Sequence, residues 1–184
     1  RSSPLVAEAL KKYNISAVSI ANNHVLDYGY DAFEDTLTAL ENNGVKYSGG
    51  GRNKEEALKG TIIEKKGIKV GFIAFSRVVP VVDWYATDKK PGILGAYKVH
   101  EPEVLELIRG FKSKCDVLVV SVHWGKEGSL EARDAEIESA RNMIDSGADI
   151  IMGHHPHVVQ GIEIYKDKPI FYSLGNFIFT GSRF

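Results

Sequence analysis

Hydrophobic positions along the chain alternate between a helical period and a strand period. Apolar residues at spacings of three and four predict amphipathic helices, and shorter apolar or alternating runs predict strands. Four helices are predicted. The first begins at Ser3-Pro4 and has Leu5, Ala9, Leu10 and Tyr13 on its apolar side, and the second is capped by Asp31 and ends before Gly44. The other two are Glu101–Lys112 and Ala132–Ser146. The predicted strands are Ile15–Ile20, Val45–Ser48, Thr61–Lys65, Lys69–Phe75, Val117–Val122, Asp149–Met152, Val158–Tyr165 and Pro169–Leu174.

This order of elements predicts one layered α/β domain over residues 1–184. Strands that alternate with helices form mainly parallel sheets, and the predicted hairpins add antiparallel partners. Gly49-Gly50-Gly51 lacks the pattern of a phosphate-binding loop and is interpreted as a glycine-rich turn. Residues Arg77 to Tyr97 show no period, so we expect a long loop there that acts as a rim or a lid.

Composition narrows the functional classes. Among 184 residues, 23 Lys and Arg stand against 24 Asp and Glu, giving a net charge of −1. No clustered basic surface is implied, so we expect neither nucleic acid nor an anionic membrane surface as a partner. The apolar runs are too short to span a bilayer. The lone Cys115 excludes an internal disulfide framework and a cysteine-based zinc site.

Polar clusters with metal-binding chemistry follow three of the predicted strands. Each cluster comes directly after the end of a hydrophobic strand, where ligand sites of open α/β sheets form. Five of the six histidines, all except His100, occupy these positions. The clusters are Asn23-His24, His123, and the group His154, His155 and His157.

The residue types favour a site for a divalent cation of the Mn, Fe or Zn class. Imidazole nitrogen is the commonest side-chain ligand for such ions. We expect His155-Pro156-His157 to be extended and to point both rings to one side. His123 and the amide oxygen of Asn23 complete a mixed ligand set, which leaves His24 to act as a general acid.

Plainer interpretations stand beside these. A lone histidine after a strand is usually a satisfied polar residue, which is the better interpretation for His123 taken alone, and Asn22-Asn23 is an ordinary turn signal. Asp27 either orients His24 or caps the loop. Two further side chains have two interpretations each: Glu127 either supports a ligand histidine or is merely exposed, and Asn176 is either a turn residue or faces the site.

Four motifs, in this order, carry a resemblance to a known family. They are Ser19-Ile20-Ala21-Asn22-Asn23-His24-Val25-Leu26-Asp27-Tyr28-Gly29, Val122-His123-Trp124-Gly125-Lys126-Glu127, Gly153-His154-His155-Pro156-His157-Val158-Val159-Gln160-Gly161, and Tyr172-Ser173-Leu174-Gly175-Asn176-Phe177. Over almost the whole chain, the sequence resembles bacterial capsule synthesis proteins of the CapA, poly-γ-glutamate type. That family is similar in fold to the calcineurin-like metallophosphoesterases, which implies a four-layer α/β/β/α sandwich with a dinuclear metal site.

The resemblance also implies roles for individual residues. It makes Asn23, His123, His155 and His157 metal ligands and His24 the acid for the leaving group. An alternative match of the family's Gly-His signature to Gly153-His154 stays open. The family begins with a strand ending in Gly-Asp that supplies a metal carboxylate, and a second acidic motif follows. Neither is in this chain, so we expect a domain truncated at both ends, without its N-terminal strands and with part of a binuclear site.

Three functions are compatible with these features. The first is metal-dependent hydrolysis of a phosphoester by the intact protein. The second is a non-catalytic role in making, exporting or anchoring an anionic capsule polymer, alongside membrane proteins of capsule synthesis on the extracytoplasmic face of the cell envelope. The third is a folded remnant without activity. We also expect self-association of this chain through an exposed sheet edge or core face.

Overall fold

A computed structural model describes residues 3–178 of the chain. The helices are α1 (Leu5–Lys12), α2 (Gly29–Asn42), α3 (Lys54–Leu58), α4 (Glu101–Lys112) and α5 (Asp134–Asp145), with short 3-10 turns at Val82–Trp84 and Lys98–His100. The strands are β1 (Ala17–Ser19), β2 (Lys46–Ser48), β3 (Gly50–Gly51), β4 (Thr61–Lys65), β5 (Ile68–Ser76), β6 (Gly92–Ile93), β7 (Val117–His123), β8 (Ile150–His154), β9 (Ile162–Tyr165) and β10 (Lys168–Phe171).

The main sheet has six strands in the order β4-β5-β7-β8-β10-β9. Its four central strands run parallel, and the two outer strands are antiparallel to their neighbours. Two smaller sheets pair β1 with β2 in parallel and β3 with β6 in antiparallel orientation. The carboxyl ends of β5, β7 and β8 therefore meet at one edge of the main sheet.

These elements stack in four layers. Helices α4 and α5 pack on one face of the main sheet, where Ile108 and Met143 join the core with Val120. The small sheets approach the opposite face closely: a Cβ at Gly49 would lie 2.9 Å from the Cβ of Ala74. Helices α1 and α2 cover the outer side of the small sheets. The predicted α/β/β/α sandwich is thus confirmed in the described residues.

Several predicted boundaries differ from the structure. Helix α2 begins at Gly29, so Asp31 lies in its first turn and is not its cap. Gly50-Gly51 forms strand β3, which pairs with β6 from the expected loop 77–97, so the interpretation as a simple turn was wrong. Helix α3 was not predicted. The predicted strands 158–165 and 169–174 are shorter, since β9 begins at Ile162 and β10 ends at Phe171, and an isolated bridge pairs Val159 with Leu174 beyond them.

Strand β9 forms one free edge of the main sheet and exposes apolar side chains. Ile162 and Ile164 are 62% and 66% exposed, on the face away from α5. Its other side chains pair with α5, since Glu163 accepts hydrogen bonds from Arg141. Within residues 3–178, the structure has no helix that combines the length and apolar character needed to cross a membrane.

Candidate metal centre

The polar clusters converge at the edge where the parallel strands end. In the strand register, His123 at the end of β7 lies between Ser76 of β5 and His154 of β8. The loop after β1 brings Asn23 to the same place from the second sheet. Oδ1 of Asn23 lies 2.8 Å from Nε2 of His123, although the two residues are 100 positions apart.

His123 is half-buried, and its surroundings favour the neutral imidazole. Burial lowers its pKa to about 3, and the neighbouring histidines add to the effect. Burial also lowers the pKa values of His154 and His155. A cation ligand must present a lone pair, so a depressed pKa keeps these rings in the form that binds metal at neutral pH.

The segment 155–157 is bent, and the prediction of an extended His-x-His pair was wrong. His155 and His157 have φ values of +99° and +63°, in the left-handed region that side chains other than glycine rarely adopt. Tertiary contacts to Pro156 accompany this bend: the N–H of Gly128 donates to its carbonyl at 2.9 Å, and Gly125 packs against its ring. The two imidazoles still face one cleft, with ring centroids 6.1 Å apart.

Three side chains form a group with the spacing of a cation site. Potential ligand atoms of Glu127, His155 and His157 all lie within 4.8 Å of one another. Nδ1 of His155 is buried and has no hydrogen-bond partner among the described residues. A buried polar atom without a partner is costly, and a cation would satisfy it. The donor set of imidazole and carboxylate therefore fits a divalent transition metal.

Neighbouring side chains orient these donors. Nδ1 of His157 lies 2.8 Å from Oδ1 of Asn176, an acceptor, so the proton sits on Nδ1 and the lone pair on Nε2. The ring of His123 lies 4.8 Å from that of His155, which makes the Asn23–His123 pair continuous with the group around Glu127.

His24 stands at the exposed side of the same cleft. Its Nδ1 donates to Oδ2 of Asp27 at 2.8 Å, which turns Nε2 toward the amide of Asn23, 3.4 Å away. The side chain of His24 is 66% exposed, and a group that exchanges a proton with a substrate must be accessible. Of the two interpretations of Asp27, the structure favours orientation of His24.

A buried tryptophan supports the cleft from below. Trp124 is fully buried, and its indole N–H donates to the carbonyl of Tyr172 at 2.9 Å. Its backbone N–H donates to the carbonyl of His154 at 3.0 Å. Gly153 permits this packing, because a Cβ there would lie 1.9 Å from the Tyr172 oxygen.

The structure brings together all six predicted site residues: Asn23, His24, Asp27, His123, His155 and His157. Of the residues with two interpretations, Glu127 is exposed and lies within the cation-sized group, and Asn176 is within hydrogen-bond distance of His157. Their signal in the sequence was position alone: each follows a strand that ends at this edge. His154 lies at the end of β8 beside His123 and is not a member of the group around Glu127.

Comparisons with known proteins agree with this picture. A family model described as "Bacterial capsule synthesis protein PGA_cap" matches residues 1–181. The "PGA biosynthesis protein CapA" of Bacillus subtilis (strain 168) is 37% identical over 94% of this chain and 44% of its own length. The "Capsule biosynthesis protein CapA" of Bacillus anthracis is 35% identical over 94% of this chain and 42% of its own length. The chain thus spans less than half the length of these relatives.

A solved structure shares the fold. The NAD nucleotidase (NadN) of Haemophilus influenzae superposes on 93% of this chain and 32% of its own chain, with a TM-score of 0.53 and 16% sequence identity. At that identity the likeness bears on the fold, which is metallophosphoesterase-like, and not on the substrate. The family match over nearly the whole chain, together with the relatives above 30% identity, decides the assignment: the chain belongs to the bacterial capsule synthesis protein family.

Proposed function

We propose that this chain carries the metal centre of a capsule biosynthesis protein and that this centre hydrolyses a phosphoester. The observation that supports it best is the buried, unpartnered Nδ1 of His155 within the group formed with Glu127 and His157. The Asn23–His123 pair lies directly beside this group. Burial lowers the pKa values of His123, His154 and His155, which favours the neutral, metal-binding form of these three rings at one strand edge.

In this proposal, the ligands are His123, His155, His157 and Glu127, with Asn23 as a further oxygen donor. A divalent cation of the Mn, Fe or Zn class supplies Lewis-acid polarisation of a phosphoryl oxygen when it is bound. Water supplies the oxygen that replaces the departing group on phosphorus, and His24, acting from its doubly protonated form, gives its Nε2 proton to the departing oxygen. The Asp27 carboxylate accepts the hydrogen bond from Nδ1–H and so orients the ring.

The names of the relatives support a proposal for the cellular setting. These names concern capsule and PGA biosynthesis, and we propose that residues 1–184, as one domain, lie at the extracytoplasmic face of the cell envelope. The proposed partners are an anionic polymer or a phosphoester intermediate and the membrane proteins of capsule synthesis.

The test compares two variants of this chain in which a single histidine is replaced by alanine. His155→Ala removes the central donor, whereas His100→Ala removes an imidazole outside the cluster. We expect His155→Ala to lose stoichiometric Mn²⁺ or Zn²⁺ by elemental analysis and to lose hydrolysis of bis(4-nitrophenyl) phosphate, with His100→Ala unchanged in both. Equal metal content and equal rates in the two variants would refute the proposal.

A non-catalytic role is the second candidate, and the charge of the site favours it. Glu127 is the one carboxylate in the described cation-sized group, so a divalent cation there keeps excess positive charge and attracts carboxylates. The two functions separate in His24→Ala, which retains the proposed ligands. Polymer binding that persists in this variant, with no hydrolysis by the unaltered chain, would favour the binding role.

A further inference from the structure

Arg77 follows β5 at the strand edge that carries the metal centre. Its backbone N–H donates to the carbonyl of His123 at 2.8 Å. Its side chain reaches the first turn of α5, where Nη1 donates to the carbonyl of Ala135 at 2.9 Å. The residue is therefore held at its backbone by the end of β7 and at its guanidinium by the first turn of α5.

Arg77 differs from the other arginines of residues 3–178 because no carboxylate pairs with it. The remaining four described arginines each have an acidic partner within 3.0 Å: Arg52, Arg109, Arg133 and Arg141. Arg77 is only partly exposed. A half-buried guanidinium that lacks a counter-ion gives up hydration without recovering it in an ion pair, so its environment favours an incoming anion.

A second guanidinium bonds to the same turn of α5. Arg133 donates from Nε and Nη2 to the buried carboxylate of Glu136, at 2.9 and 2.6 Å, while 59% of its side chain remains exposed. The loop before α5 contacts the loop that follows β8, because Gln160 donates a hydrogen bond to the carbonyl of Glu131 at 3.1 Å.

We propose that Arg77, assisted by Arg133, binds a second anionic group of the substrate, next to the phosphoester held at the metal centre. This inference rests on the proposed function for the place of the first anion. A guanidinium offers paired N–H donors that match carboxylate and phosphate oxygens. The substrate class is therefore a phosphoester that carries a further carboxylate or phosphate.

The experiment measures binding by calorimetry to the chain in Mn²⁺ buffer, with two matched pairs of probes. Fructose 6-phosphate and fructose 1,6-bisphosphate differ by one phosphate, and glycerol 3-phosphate and 3-phosphoglycerate differ by one carboxylate. We expect Arg77→Gln to weaken binding of the member with two anionic groups in at least one pair about tenfold, while the members with a single phosphate change less than about twofold. The affected pair identifies the second anion.

Two variants control for charge and folding. Arg109→Gln removes a guanidinium on α4 that already pairs with Glu106, and we expect it to bind all four probes as the unaltered chain does. Arg77→Lys keeps the positive charge, and we expect it to restore part of the lost affinity. The proposal is overturned if the unaltered chain binds fructose 1,6-bisphosphate and 3-phosphoglycerate no more tightly than the matched probe with a single phosphate. It is also overturned if Arg77→Gln weakens binding of both members of each pair equally. Binding without turnover would refute only the proposed function.

Discussion

Gly153 offers a sharp test of how the cleft is supported. It lies in β8, directly under the ring of Trp124. An added Cβ would lie 1.9 Å from the carbonyl oxygen of Tyr172 and 2.6 Å from the indole nitrogen of Trp124. The Gly153→Ala substitution must therefore displace the indole or the backbone at Tyr172, which follows β10, and either movement breaks the buried hydrogen bond between Trp124 and Tyr172.

The expected cost follows from these two effects. Overpacking a core by one methyl group costs about 1–3 kcal/mol, and a buried donor left without its acceptor costs about 1–3 kcal/mol more. The sum, about 2–6 kcal/mol, is a large share of the total stability of about 5–15 kcal/mol that is typical of a domain. Gly153→Ala should lower the free energy of unfolding by this amount in urea titrations and shift the emission of Trp124 to longer wavelength.

Gly110→Ala is the matched control, because the same methyl group enters open space. Gly110 lies in α4, and an added Cβ has no neighbour within 4 Å. Alanine is the better helix former, so this variant should gain about 0.5–1 kcal/mol. Two results would contradict this account of the packing at Gly153. One is a loss of less than about 1 kcal/mol in the free energy of unfolding of Gly153→Ala, the low end of overpacking costs. The other is a change of stability in the same direction in both variants.

Three further predictions concern the site and the sheet edge. The pKa of His123, about 3, lies below its ordinary value, so at pH values between the two the unfolded state binds more protons than the folded state, and stability falls as the pH drops. Chelator-treated protein should therefore lose about 2 kcal/mol of its free energy of unfolding at about pH 5. His123→Gln should flatten this dependence of stability on pH in urea titrations. Asp27→Asn should lower kcat for aryl phosphodiester hydrolysis about 100-fold by releasing His24, and a loss of metal content instead would contradict this role. Ile164→Lys should reduce self-association by light scattering, since Ile164 is exposed on the β9 edge; an unchanged mass distribution would count against that interface.

The sequence predicted elements where periodic burial determines structure. Val104, Ile108 and Phe111 recur at helical spacing, and all three are buried in α4. Helix α3 escaped prediction because it is five residues long and buries only Ala57. Its available signal was the cap at Asn53, whose side chain accepts a hydrogen bond from the N–H of Glu56.

The convergence of the candidate ligands was predictable, but their local backbone geometry was not. The position of each polar residue after a strand was enough to bring Asn23, His123 and His155 together. The bend at His155 was not predictable from its neighbour Pro156, because that bend is accompanied by contacts from Gly125 and Gly128, about thirty positions earlier in the chain. Local preference favours extended backbone before proline, and here the tertiary contacts outweigh it.

The separation of Asn23 from His123 has a consequence for the order of folding. Their contact spans 100 positions and joins two different sheets, so we expect it to form only after both sheets exist and have docked. Contacts with such long loops carry a large closure entropy and arise late. A cation that needs both segments therefore binds after the chain has collapsed, and it slows unfolding more than it speeds folding.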